Sequence, residues 1–195
     1  IGGAAALVGS LVMSAWGGPK ERRVPPMIVF IALCGLGFLF TGLQESLFFV
    51  SLGRGWMMFF IPLASALSQA VFQTKIAPDV QGRVFSIRMM ISQSIMPLAF
   101  LLAGPLADNV FGPLMQPGGA LAGSFLGEWL GTGDGRGIAL IYVLCFAFIA
   151  LFSLAAYASP RIREVEAELP DAIPDDEPAA PQVAAHGQAA AAAAD

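Results

Sequence analysis

Histidine and cysteine are nearly missing from this chain: 195 residues hold one histidine and two cysteines. The histidine, His186, sits in a terminal stretch of Ala, Pro and acidic residues, which removes most metal-cluster and Ser/His catalytic schemes. Cys34 and Cys145 both lie inside apolar stretches, where cysteine behaves as a small buried hydrophobe, and no disulfide, metal or redox role is expected of them. There is no phosphate-cradling glycine motif and no pairing of a nucleophile with a base. The chain is therefore expected to be no enzyme, to need no cofactor and to bind no metal. Charge is scarce as well, at 12% of residues, while 56% are hydrophobic and the mean hydropathy is +0.72. That balance is too apolar for a water-soluble domain of this length and points to a membrane class.

The few cations are ordered along the chain. Lys20, Arg22 and Arg23 form one group, Arg54 stands alone, Lys75, Arg83 and Arg88 form a second group, Arg136 stands alone, and Arg161 and Arg163 close the series. Stretches of about 20 mostly apolar residues separate the groups, the length that a helix rising 1.5 Å per residue needs to cross a bilayer. Alternation then puts eight cations on one side and two on the other, and because cytoplasmic loops retain Lys and Arg, the richer side is expected to be the cytoplasm. The net charge of −4 does not describe the membrane body. From Ala158 onward there are eight acids against two cations, which leaves the first 157 residues positive.

Five hydrophobic segments can be drawn, at Ile1 to Trp16, Met27 to about Leu43, about Leu47 to Phe72, Met89 to Ala107 and Ile138 to Tyr157. The first is too short to span and has neither an initial Met nor a basic flank, so it reads as the end of a helix and the chain as the C-terminal part of something larger. The predicted fold is all-α, a polytopic membrane helix bundle over residues 1–157. An acidic cytoplasmic tail, 158–195, is expected to be largely disordered apart from a helical extension through Ile162 to Leu169. Gln73 to Arg88 is expected to be a cytoplasmic loop. The Gly- and Pro-rich connection from Asp108 to Arg136 is expected outside, its apolar piece Leu121 to Leu130 forming either an interfacial helix anchored by Trp129 or an ordinary exposed loop.

Polar side chains inside the spans are the remaining source of chemistry, since each uncompensated polar group in hydrocarbon is costly. Ser65, Gln69 and Gln73 recur at spacings of four, so one face of the cytoplasmic half of the third span is polar and is expected to point inward. In the fourth, Ser92, Gln93 and Ser94 follow Arg88, and Pro97 removes a backbone hydrogen bond. Ser65, Gln69, Gln73 and Gln93 either line a substrate path or bond between helices, a common source of membrane packing. Glu45 and Arg54 form an intramembrane charge pair if the third span begins near Leu47, and belong to a plain loop if it begins at Gly55. Asp108 reads as a span terminus in water. Asp79 and Arg83, four apart with the acid first, can pair on a short helix, while Gly82 allows a neighbouring backbone to approach. Such a loop is either a latch or simply a determinant of topology.

Several runs resemble one family. Gly9 and Trp16-Gly17-Gly18-Pro19-Lys20-Glu21-Arg22-Arg23 resemble the glycine and basic loop after the eighth span of the major facilitator superfamily. Pro78-Asp79-Val80-Gln81-Gly82-Arg83-Val84-Phe85-Ser86 resembles the loop between its tenth and eleventh spans. Leu106-Ala107-Asp108, Gly135-Arg136-Gly137 and Pro160-Arg161-Ile162-Arg163-Glu164-Val165-Glu166 are also similar, in the pattern of the drug and siderophore exporter branch that includes macrolide efflux and enterobactin exporters. The resemblance covers roughly residues 1–172. It implies spans eight to twelve of a twelve-span plasma-membrane transporter with a cytoplasmic C-terminus. Such a transporter exports drugs or other small hydrophobic molecules by proton antiport, through alternating access between two six-helix halves. The implied partners are a small-molecule substrate, the lipid bilayer and the missing N-terminal half of the same protein, with no nucleic acid. Lys20, Arg22, Arg23, Asp79, Gly82 and Arg83 would then belong to cytoplasmic gating loops. A non-transporting membrane scaffold or assembly subunit would show the same spans without needing the polar stripe.

The cation count makes topology directly testable. In a cysteine-free background expressed in intact cells, an impermeant thiol reagent is expected to label Asp134→Cys and to spare Arg83→Cys; labelling at 83 with none at 134 would reverse the orientation.

Overall fold

The computed structural model describes residues 2–43, 46–169 and 171–172. Its elements are α1 (Gly2–Trp16), α2 (Val24–Leu43), α3 (Leu47–Lys75), α4 (Pro78–Pro105), a π-helical segment (Leu106–Phe111), α5 (Gly112–Met115), α6 (Phe125–Leu130), α7 (Arg136–Ala158) and α8 (Pro160–Glu168). No strand occurs among the described residues. Among the described residues, four helices are long and apolar enough to cross a membrane: Val24–Leu43, Leu47–Lys75, the continuous run Pro78–Met115, and Arg136–Ala158. This is the organisation of a membrane helix bundle.

Several boundaries differ from those read in the sequence. The expected loop from Gln73 to Arg88 shrinks to Ile76 and Ala77, both in extended or near-extended backbone. Pro78 explains the break, because a proline disfavours helix in the residue before it yet suits the first turn of the helix that follows. The polar residues after it, including Asp79 and Arg83, form the first turns of α4 and no separate short helix. α3 begins at Leu47, so Arg54 lies two turns inside it and the plain-loop alternative for that stretch fails. Pro160–Glu168 is helical, as α8. The tail beyond Ala172, with His186, lies outside the described residues.

α2 is the hub, packed between α3 and α7, while α1 packs on α3. Glycine makes the α2–α3 crossing possible. A Cβ added to Gly53 would stand 2.6 Å from the carbonyl oxygen of Gly37 and 2.8 Å from the amide nitrogen of Thr41, so the two backbones are in direct contact. Close approach of this kind is how membrane helices gain packing energy where no hydrophobic drive separates them from lipid. Trp56 fastens the same interface by donating its indole N–H to the carbonyl of Leu33 at 2.7 Å. Its ring also lies against Phe40 and Phe60. On the far side of α3, Gly9 of α1 sits where a Cβ would strike the Phe59 carbonyl.

A second packed centre forms at the other end of the bundle. Met115, Leu130 and Leu140 are buried together, so the connection after α5 folds back on α7. The N–H of Leu121 donates to the Leu114 carbonyl and that of Gly133 to the Met115 carbonyl, both at 3.1 Å. The apolar piece is thus a short helix, α6, with Ser124 at its N-cap, and Trp129 is half exposed beside Phe125. α4, by contrast, buries none of its residues.

Gly53→Leu is expected to lower the apparent melting temperature of the detergent-solubilised chain, by the equivalent of about 1–3 kcal/mol of overpacking. Gly82→Ala, where an added Cβ meets nothing within 4 Å, is expected to be neutral or to stabilise α4 by about 0.5–1 kcal/mol.

Candidate functional site

Helical spacing does what the sequence pattern requires on α3. Leu63 and Leu67 are buried toward the bundle, while Ser65, Gln69 and Gln73 are exposed along one stripe. That polar stripe therefore faces away from the packed side of α3. Gln93 is exposed on α4, but α4 departs from α3 after a junction near their shared end, and the structure does not bring Gln93 into the stripe. At the junction Arg88 donates to the Ser68 hydroxyl at 3.0 Å and lies 4.6 Å from the centre of the Phe72 ring. The Gln81 side chain donates to the carbonyls of Gln73 and Ile76, at 3.0 and 2.9 Å, which ties the start of α4 to the end of α3. Carbonyls left over at a helix end are satisfied in this way.

The other expected site residues fare differently. Arg54 is exposed on α3, and Glu45 lies outside the described residues, so their pairing does too. Asp79 and Arg83 are exposed on the first turns of α4 and do not pair; among the described residues the ion pairs are Arg23–Glu166 and Lys75–Asp171. No neighbouring backbone approaches Gly82. The i,i+4 geometry permits an Asp79–Arg83 pair, but in full solvent such a pair gains only a few tenths of a kcal/mol. Lys20 and Arg22 are exposed in the turn before α2.

Arg23 is the expected gating residue that has partners. Its guanidinium approaches Glu166 of α8 at 3.8 Å, reaches the Thr74 hydroxyl at 3.3 Å and donates to the Pro19 carbonyl at 3.3 Å. Glu166 has a second task. Its carboxylate accepts the backbone N–H groups of Arg23 and Val24, so an acid 142 residues away caps the N-terminus of α2. Free N–H groups and the helix dipole both favour an anion there. Beyond α8, the Lys75 ammonium donates to the Leu169 carbonyl and pairs with Asp171 at 2.7 Å, and the Ala172 N–H donates to the Thr74 carbonyl at 2.9 Å. Glu166, Leu169, Asp171 and Ala172 thus clasp the start of α2 and the end of α3. The cation-rich groups of residues 20–23, 75–88 and 161–163 converge at this end.

Sequence reasoning missed Glu166, Thr74, Lys75 and Asp171. The one signal available was the run of acids at helical spacing after Pro160, and nothing local says which distant helix they cap.

About half of the chain is similar to known efflux proteins. Over 106 residues, 53% of this chain and 26% of the relative, it is 29% identical to macrolide efflux protein A of Streptococcus pyogenes. Over 94 residues, 47% of this chain and 29% of the relative, it is 30% identical to macrolide efflux protein A of Enterococcus faecalis. The match takes in less than a third of the length of either relative. No family model matches the chain, and no solved structure matches it.

Glu166→Ala is expected to destabilise the bundle by about 1–2 kcal/mol through loss of the α2 cap and stranding of Arg23. It should also make α8 a preferred site of limited proteolysis. Unchanged melting and digestion would reduce the clasp to a surface contact.

Proposed function

We propose that the chain supplies spans eight to twelve of a major facilitator transporter that exports drugs or other small hydrophobic molecules by proton antiport. The similarity of half its length to macrolide efflux protein A carries the reading, and the arrangement of α3 supports it. A helix that buries Leu63 and Leu67 on one side and presents Ser65, Gln69 and Gln73 on the other suits the wall of a cavity completed by a second half. Residues 1–157 form the membrane body, and 158–195 form a cytoplasmic tail of which α8 is the ordered beginning. In this orientation the basic end is cytoplasmic and the protein is multi-pass in the plasma membrane. Its partners are a small-molecule substrate, the bilayer and an N-terminal half of the same protein. Gating at the cytoplasmic end involves Lys20, Arg22, Arg23, Asp79, Gly82 and Arg83, with Arg23 acting through the clasp.

Amides along an otherwise apolar wall offer donors and acceptors that orient a hydrophobic compound without demanding tight selectivity. Gln69→Leu in the full-length protein is expected to shift the pattern of drug susceptibility, or to change apparent affinity several-fold, at equal membrane expression. Folding should be little affected because an apolar substitution removes a polar group from the membrane. Uniform loss of every substrate together with loss of protein would make Gln69 a packing residue and favour the scaffold reading.

A further inference from the structure

Two cavities meet at Tyr157, where α7 ends. One is a groove of about 430 Å³ between α2 and α7, walled by Ile28, Ala32 and Leu36 on one side and Phe146, Ala150 and Leu154 on the other. The second, about 400 Å³, lies at the basic end and is lined by Arg22, Pro25, Tyr157, Arg163, Glu164 and Glu166. Tyr157 lines both, so an apolar trough and a charged pocket adjoin at its ring. From Pro25 to Leu36 the helix rises about 16 Å, at 1.5 Å per residue, roughly half of a 30 Å hydrocarbon core and so the depth of one leaflet.

The charges in the pocket are unequally committed. Glu166 is already engaged by Arg23 and by the N-terminus of α2. Arg163 lies 5.5 Å from the centre of the Tyr157 ring, its guanidinium makes no hydrogen bond to a described residue, and its Nε–H is buried without an acceptor. Buried donors are rarely left unmet, and an arginine beside an aromatic ring still has its fork of N–H groups to offer a planar or tetrahedral anion. Arg22, exposed and lining the same pocket, is the one non-glycine residue with positive φ among those described, at 52°. Glu164, exposed, also lines the pocket.

We propose that this composite site binds a membrane phospholipid, with the phosphate diester between Arg22 and Arg163 and one acyl chain along the α2–α7 groove. Charge complementarity selects the phosphate and the groove selects the chain, so neither a free anion nor an uncharged lipid satisfies both halves. The aromatic ring of Tyr157 marks the boundary, at the headgroup depth where such rings concentrate. The inference depends on α2 and α7 spanning the bilayer but not on transport, so loss of the export reading would leave it standing.

Native mass spectrometry of the whole chain, released from detergent micelles containing dioleoyl phosphatidylglycerol, tests the proposal. One retained lipid is expected, with affinity reduced about tenfold or more in Arg163→Gln, the loss usual for a charged hydrogen bond. Ala150→Trp, which fills the groove and leaves both arginines in place, should weaken retention similarly and covers the case in which Arg163→Gln fails to fold. Dioleoylglycerol, which lacks the phosphate, and inorganic phosphate, which lacks the chain, should each compete poorly. Equal retention of dioleoylglycerol would reduce the site to an apolar groove. Equal competition by inorganic phosphate would make it an anion pocket only, and retention unchanged in both variants would place the lipid elsewhere; each of these overturns the proposal.

Discussion

The bundle depends on two backbones touching. Where α2 crosses α3, Gly37 and Gly53 let the two backbones approach, and carbonyls, amides, the Thr41 hydroxyl and the Met57 side chain meet directly. Lipid tails are as apolar as leucine, so burying leucine between two membrane helices brings little advantage over leaving it in lipid. Contact at this range is what remains, and it fixes how α1 and α7 are carried by their neighbours. α1 uses the same device at Gly9, and α7 approaches α2 beside Gly42, where an added Cβ would stand 2.9 Å from the Ala139 carbonyl.

The spans were legible because their signal is local and physical: an uninterrupted apolar run maps onto the thickness of a bilayer. The stripe of Ser65, Gln69 and Gln73 was legible for the same reason, since a spacing of four is a property of one helix. The ends of spans were not, because a polar first turn such as Asp79 to Arg83 is compatible with a loop and with a helix alike. Pro78 was the residue that decided it. Burial of Met115 was out of reach as well: it depends on Gly112 and Gly137 meeting, where an added Cβ on the latter would stand 2.5 Å from a backbone nitrogen. Glu166 shows the limit most clearly, since its partner is specified by the fold and by no periodicity in the chain.

α4 stands apart from this economy of contact. It touches α3 at the Arg88 junction and α7 through the π-helical segment, and between these its large side chains, Met89, Ile95, Leu98 and Phe100 among them, are exposed. In a bilayer such a surface is compatible with lipid or with another helix, and backbone hydrogen bonding within the helix is complete either way, except where Pro97 and Pro105 lack a donor. The π-helical segment beginning at Leu106, directly after Pro105, is a natural place to absorb that irregularity.

The α2 cap has a consequence in time. The N–H groups of Arg23 and Val24 are ready as soon as α2 leaves the ribosome, but the carboxylate that receives them is 143 residues further along. At about 5–20 residues per second of synthesis, the helix waits on the order of ten seconds for its anion. Throughout that interval its start is served only by water and headgroups, and the bundle cannot close at this end until α8 has been made. Completion of α8 is therefore also the moment at which α2 becomes finished.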